Sequence, residues 1–121
     1  LVGVEPFNAP TLTQALEHGP NTAVEVSGLA ANALGAKQAG RICYDLARMT
    51  ATDCVNVEDE AIAEAQNRLW TALRLVVEPA GAAALAALLS GAYRPQKGER
   101  LAVLLCGANP AVSPFGPAKL Q

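Results

Sequence analysis

The stretch LAVLLCGANP, residues 101–110, decides how the rest of the chain is read. Five apolar residues, Leu101 to Leu105, follow a charged lead-in of Lys97, Glu99 and Arg100 and break at Cys106-Gly107-Ala108-Asn109. A short apolar run between such boundaries reads as a strand buried on both faces. Strands of that kind belong to parallel sheets covered by helices, and ligands of open α/β sheets sit just outside the carboxyl ends of the strands. Residues 106–109 take that place. The expectation is that the other elements pack around this strand and present its end to a ligand.

Working outward from it, residues 79–89 (PAGAAALAALL) form a helix that is apolar all round and hence buried. Pro79 suits its first position, where the missing N–H costs nothing, and Ser90-Gly91 ends it. Before it, Glu58, Asp59 and Glu60 open a helix whose positive end they complement. Ile62, Ala65, Leu69, Leu73 and Val76 are its apolar stripe, with Trp70 beside it. Residues 53–57 (DCVNV) read as a strand. Residues 36–49 read as an amphipathic helix with Ala39, Ile42, Cys43, Leu46 and Met49 on one stripe and Lys37, Gln38, Arg41, Asp45 and Arg48 away from it. GLAANALG, residues 28–35, is either a loop that approaches a ligand or the start of that helix, and residues 23–26 are a short extended piece. Residues 11–19 form a short helix with Leu12, Ala15 and Leu16 at helical spacing, ended by Gly19-Pro20. LVGVEP, residues 1–6, is a strand stopped by Pro6.

The order is strand, helix, helix, strand, helix, helix, strand. That alternation predicts an α/β fold with an open, mainly parallel sheet covered by helices. Residues 2–5, 53–57 and 101–105 should be its parallel strands, with their carboxyl ends at Glu5, Val57 and Cys106 along one edge. Residues 111–121 are Pro-rich and unpatterned.

The totals narrow the function classes. The chain has 121 residues, enough for one domain with a modest core. It is 51% hydrophobic but only 4% aromatic, so the core must be aliphatic and rich in alanine. The formal net charge is -2 with no basic cluster, which argues against nucleic acid, where affinity is largely phosphate neutralisation. No apolar run is long enough to span a bilayer, and no charged segment leads into an apolar stretch as in a signal peptide. Three cysteines without a C-x-x-C spacing argue against a disulfide framework or a zinc knuckle and point to a reducing cytoplasm. The chain opens on Leu1-Val2 inside a strand with no initiator Met, and is read as a piece of a larger protein.

Candidate chemistry is sparse. Cys106 at a strand end is ordinarily a small buried hydrophobe, but the Gly-Ala-Asn that follows lets a planar ligand come close to the backbone. Cys43 and Cys54, on a helix stripe and in a strand, read as core. Glu78 is either an acid at a helix start or a carboxylate aimed into a site, and both can hold. Gly81 in the first turn of a helix is costly unless a ligand or another backbone comes close there. Glu5 is a loop acid or a cap for the next helix, since one carboxylate is too little for a hard cation. His18 beside Gly19 suits a helix end. No Walker, HExxH or G-x-S-x-G motif is present. The residues alone stop at a helix-covered parallel sheet with a small-residue ligand edge, and supply no reaction.

Five stretches in order nevertheless resemble the threonine/serine dehydratases of the fold-type II pyridoxal-phosphate enzymes: VGVEP (residues 2–6), GLAANALGAKQAG (28–40), VNVEDEAI (55–62), VVEPAGAAALAALL (76–89) and LLCGAN (104–109). Their order and spacing are similar to the C-terminal part of that family's large domain. The resemblance assigns residues 1–114 to that part of the pyridoxal-phosphate-binding domain and 115–121 to a tail. EPAGA followed by a strand ending in C-G-x-N is its most specific part.

The resemblance implies pyridoxal 5'-phosphate as cofactor. It implies that Cys106 hydrogen-bonds the pyridine nitrogen and that Gly107 and Asn109 shape that edge, with Ala108 where the family usually has a second Gly. It implies that Asn32 and Ala33 lie beside the cofactor ring, where Asp-Gly or Glu-Gly is common, and that Glu78 is the acid near the cofactor. Some family members hold a divalent cation at the positions of Glu5, Ala9 and Thr11; Thr11 lacks the carboxylate, so no metal is expected. The family's Schiff-base Lys motif, S-x-K-x-R-G, and its Gly-rich phosphate loop have no counterpart here, since Lys37, Lys97 and Lys119 stand in other settings. The implied intact protein is a cytoplasmic, homo-oligomeric lyase that turns L-threonine or L-serine into a 2-oxo acid and ammonia by β-elimination, with this segment inactive alone. Competing readings are a non-catalytic α/β binding or assembly module, or a related racemase or synthase.

Overall fold

The computed structural model describes residues 1–109; the expected boundary at residue 114 and the tail lie outside the described residues. In chain order the elements are β1 (Val2–Pro6), α1 (Thr11–His18), α2 (Arg41–Met49), β2 (Asp53–Val57), α3 (Asp59–Leu73) and α4 (Pro79–Ser90). β1 and β2 pair in parallel, Val2 opposite Asp53 through Pro6 opposite Val57. Two parallel strands joined through intervening helices and then covered by further helices are the α/β arrangement the alternation predicts.

The core lies between this pair and the hairpin of α3 and α4. Ile62, Ala65 and Leu69 of α3 meet Ala82, Ala83, Ala86 and Ala87 of α4, and Val57 and Val77 close the cluster. Alanines on α4 let the two helix backbones approach, which explains how a chain so poor in aromatics fills its interior. Pro79 occupies the start of α4 and Gly91, at φ 77°, ends it. α3 stops at Leu73 rather than reaching residue 76, because Arg74 turns left-handed (φ 58°) and its N–H closes on Trp70 O at 2.9 Å. The Arg74 guanidinium then lies over the Trp70 ring, 5.6 Å from its centroid.

Three further expectations need correction. Residues 101–105 do not form a strand: among the described residues, 101–106 make no backbone hydrogen bond, and the sheet has two strands. The run is also not fully buried, since Leu104 is 74% exposed and Leu101 is open to solvent. Leu105 packs on the core while the backbone finds no ladder partner, so side-chain burial alone does not make the strand. Second, α2 begins at Arg41, not residue 36. Residues 36–38 are drawn into extended pairing instead, with an antiparallel bridge of Gln38 to Ala23 and Val24 N–H on Lys37 O at 2.9 Å. Third, the apolar stripe of α2 faces outward: Ile42 is 77% and Met49 81% exposed, Leu46 and Cys43 are exposed as well, and Ala47 is the buried residue of that helix. Cys43 is therefore not in the core formed by the described residues.

No described helix is long and apolar enough to cross a membrane.

Candidate functional site

A cleft of about 550 Å³ opens between β1, α4 and the 101–106 segment. Val2 and Val4 of β1, Leu34 from the loop, Ala80, Ala83 and Ala84 of α4, and Cys106 contribute to its walls. Its volume falls in the range of small-molecule sites, and its lining is mostly apolar with few polar groups, as such sites are. Cys106 is exposed rather than packed away, so the thiol at the cleft wall departs from the ordinary buried behaviour of a free cysteine.

Backbone contact fixes where Cys106 sits. Glu78 N–H donates to Gly107 O at 3.1 Å, tying the entry of α4 to the residue after the cysteine. A Cβ added at Gly81 would lie 2.7 Å from Gly107 O and 2.9 Å from Gly107 N. The glycine in the first turn of α4 is thus explained by the close approach of another backbone. At Gly107 itself a Cβ would collide with the Glu78 carboxylate. Glu78, Gly81 and Gly107 form one seam in which no further atom fits.

The remaining residues expected at the site are placed less closely. Asn32, Ala33 and Asn109 are exposed, and the two asparagines make no side-chain hydrogen bond among the described residues. The 28–35 segment is a loop of turns, not the start of a helix. It reaches the cleft through Leu34, whose N–H donates to Ala30 O at 2.8 Å, while Ala30 is fully buried in the core. Cys106, Gly107 and Glu78 are brought together directly; Asn32 and Ala33 come near through their neighbour.

Glu5 caps α1. Its Oε1 accepts Leu12 N–H at 2.8 Å, and its Oε2 accepts both Thr13 N–H and Thr13 Oγ1–H at 2.8 Å. The carboxylate thus serves the free amides of a helix whose flanking Pro10 has no capping side chain. Thr11 Oγ1 donates to Ala36 O at 2.7 Å. Cys54 lies beside this cluster. Burial pushes its thiol up, the Glu5 charge adds to that, and a hydrogen bond with Thr13 works the other way. One residue with no role read from the sequence beyond helix-dipole balance is Asp59, which reaches across to Leu29 N–H at 2.8 Å. An acid at a helix start carries no sequence signal for a contact with a loop amide so far upstream.

Residues 1–107 match the family model described as pyridoxal-phosphate dependent enzyme. Phenylserine dehydratase of Ralstonia pickettii is 33% identical over 115 residues, which is 95% of this chain and 35% of that protein. The biosynthetic L-threonine dehydratase of Salmonella typhimurium is 34% identical over 110 residues, 90% of this chain and 21% of that protein. The crystal structure of a threonine deaminase from T.th. superposes with a TM-score of 0.80 at 35% identity, covering 93% of this chain and 41% of that one. The chain therefore spans between about a fifth and two fifths of the length of these relatives. With the family model matching all but the last residues, and with a parallel α/β scaffold shared with a solved relative, the chain belongs to the pyridoxal-phosphate dependent enzyme family.

Proposed function

We propose that the protein carrying these residues is a dehydratase (ammonia-lyase) that converts L-threonine or L-serine to a 2-oxo acid and ammonia by β-elimination. The observation that carries this reading is the exposed Cys106 thiol on the wall of an apolar cleft, its backbone held against α4 by the Glu78–Gly107 bond. The dehydratase names among the relatives supply the reaction class. A match to maize serine racemase, at 27% identity and 73% of this chain, makes a racemase the competing reading, with lower identity and coverage than the threonine deaminase.

The residues fit one edge of the cofactor. The seam of Gly81 and Gly107 brings the α4 backbone close beside Cys106, with the Glu78 carboxylate packed on Gly107, and the alanines of α4 would give a flat apolar wall for a ring. Bound there, pyridoxal 5'-phosphate supplies the electron sink that β-elimination needs. Cys106 would offer a neutral S–H, a weak donor, to the ring nitrogen. Ala80, Ala83, Ala84 and Leu34 keep water from that side. Glu78 sits against Gly107 and holds that edge in place. On the family resemblance Asn32 and Ala33 would flank the ring from the loop that reaches the cleft through Leu34, and Asn109 would extend the Cys106 edge. No described lysine lines the cleft: Lys37 pairs with Glu25 at 3.3 Å on the surface, and Lys97 lies in an exposed turn. The Schiff-base Lys and the phosphate loop belong to parts of the protein outside these residues, so the 121 residues alone should release no ammonia. The free cysteines suit a reducing cytoplasm, and a homo-oligomer is what the family resemblance implies.

The test replaces Cys106 in the longest natural polypeptide that carries these residues. Cys106→Ser keeps a neutral partner and should retain most ammonia release from threonine or serine. Cys106→Ala leaves a ring nitrogen unpaired, a loss of about 1–3 kcal/mol. Cys106→Asp should be worse than Ser, since a carboxylate holds a proton on that nitrogen and changes how the reaction partitions. Wild-type turnover and cofactor absorbance for Cys106→Ala would reduce Cys106 to a packing residue.

A further inference from the structure

We propose that Asp59 is a positioning residue for the 28–35 loop; the functional part of this rests on the reading above, which sets Asn32 and Ala33 beside the cofactor ring. Asp59 is the first helical residue of α3. Its Oδ2 accepts Leu29 N–H at 2.8 Å and Asn8 Nδ2–H at 3.5 Å. Asn8 O in turn accepts Ser27 N–H at 2.9 Å. The loop is therefore held at its start from two sides, by the exit of β1 through Ser27 and by the entry of α3 through Leu29.

Gly28 lies between those two contacts with φ +87°, a conformation that side chains rarely adopt. A Cβ there would collide with Asp59 Oδ2 and lie 3.1 Å from Asn8 Nδ2. The carboxylate thus rests on the α-carbon of the loop. An acid that served only the helix dipole needs no partner 30 residues away and no glycine beneath it. Asp59 Oδ1 is buried without a hydrogen-bond partner among the described residues. A carboxylate oxygen stripped of water without compensation is costly, and it remains so because the other oxygen is committed to the loop.

Past the clamp, Ala30 enters the core, and Ala33 N–H and Leu34 N–H both close on Ala30 O, at 3.1 and 2.8 Å. A displacement at Leu29 is carried through these turns to Asn32 and Ala33, and to Leu34 on the cleft wall that also holds Cys106. Asp59 acts on the cofactor edge through the loop, without touching the cleft.

The experiment uses the longest natural polypeptide with Asp59→Ala and Asp59→Asn. Hydrogen exchange is followed in peptides spanning residues 28–35 and 62–69, and pyridoxal 5'-phosphate affinity is read by fluorescence titration. Asp59→Ala should speed exchange in 28–35 about tenfold or more, the scale of a lost hydrogen bond to a charged group, leave 62–69 unchanged, and weaken cofactor binding by a similar factor. Asp59→Asn keeps an acceptor oxygen and should recover most of both. Unchanged exchange in 28–35, or an equal rise in 62–69, would overturn the clamp and leave a helix-start acid. Faster exchange with unaltered cofactor affinity would overturn the positioning role, while the dehydratase reading is still decided by the Cys106 variants. If Asp59→Ala fails to fold, Asp59→Ser gives the same readout, because its hydroxyl keeps a polar helix start but is one bond too short to reach Leu29 N–H.

Discussion

Gly81→Ala tests the seam between α4 and the end of the 101–107 segment. In most helices this change stabilises by about 1 kcal/mol, because alanine is the better helix former. Here the new Cβ would lie 2.7 Å from Gly107 O, 2.9 Å from Gly107 N and 2.7 Å from Val77 Cγ1. A valine methyl can turn aside, but a backbone carbonyl and its amide can move only with the chain. Overpacking of this kind costs about 1–3 kcal/mol. Forcing Gly107 away also strains the Glu78 N–H···Gly107 O bond, worth about 0.5–1.5 kcal/mol. The net expectation is a loss of about 1–3 kcal/mol against a propensity gain that would otherwise raise stability. Urea unfolding should show a lower midpoint at unchanged slope, a shift of about 1 M for a slope of about 1–3 kcal/mol per M. Combining it with Val77→Ala should relieve only the methyl contact and leave most of the loss. A Gly81→Ala protein as stable as wild type, or rescued fully by Val77→Ala, would show that the backbone contact is not the constraint.

Two other contacts make predictions of their own. Glu5→Ala removes the acceptor for three donors at the start of α1 and should cost about 1–3 kcal/mol, with faster amide exchange confined first to Leu12 and Thr13; uniform exchange across α1 would contradict the capping role. Tyr93 O–H donates to Glu99 at 2.6 Å, and that bond, with Gln96 N–H second, holds the Glu99 carboxyl below its usual value of 4.5. A depressed acid stabilises the fold above its unfolded pKa, and that contribution is lost as pH falls through the lower folded value. Tyr93→Phe should move the Glu99 titration, followed by carbon NMR of its carboxyl, back up toward 4.5; an unmoved titration would mean that Gln96 alone sets it.

How much of this was legible from residues alone depended on whether a partner was local. Pro79 at the start of α4, the acids opening α3 and the stop at Gly19 are decided within a few residues, and each element formed where its signals stood. The two strands β1 and β2 carried their own β-rich runs and found each other in parallel. Residues 101–105 carried an equally apolar run, yet a strand needs a neighbour's N–H and C=O, and a run of side chains does not say whether that neighbour is within reach. α2 shows the same limit from the other side. Its stripe at Ile42, Leu46 and Met49 was correctly periodic, but periodicity does not reveal that the described residues leave that face uncovered. At the candidate site, Gly81 was readable as a close approach because glycine in a helix is anomalous by itself. Asp59 was not, because an acid at a helix start has a sufficient local reason and its distant partner is a backbone amide.

The parallel pairing of β1 and β2 also bears on the order in which the chain folds. Glu5 and Asn56, neighbours in the ladder, are 51 residues apart in sequence, whereas α3 and α4 follow one another directly and bury their alanines and leucines together. Closing the long loop has to precede any gain from the ladder, and contacts of that separation slow folding. The helical hairpin can dock on Val57 of β2, with Val77 between the two helices, before the distant β1 is paired. Until β1 pairs, the cleft lacks the wall made by Val2 and Val4.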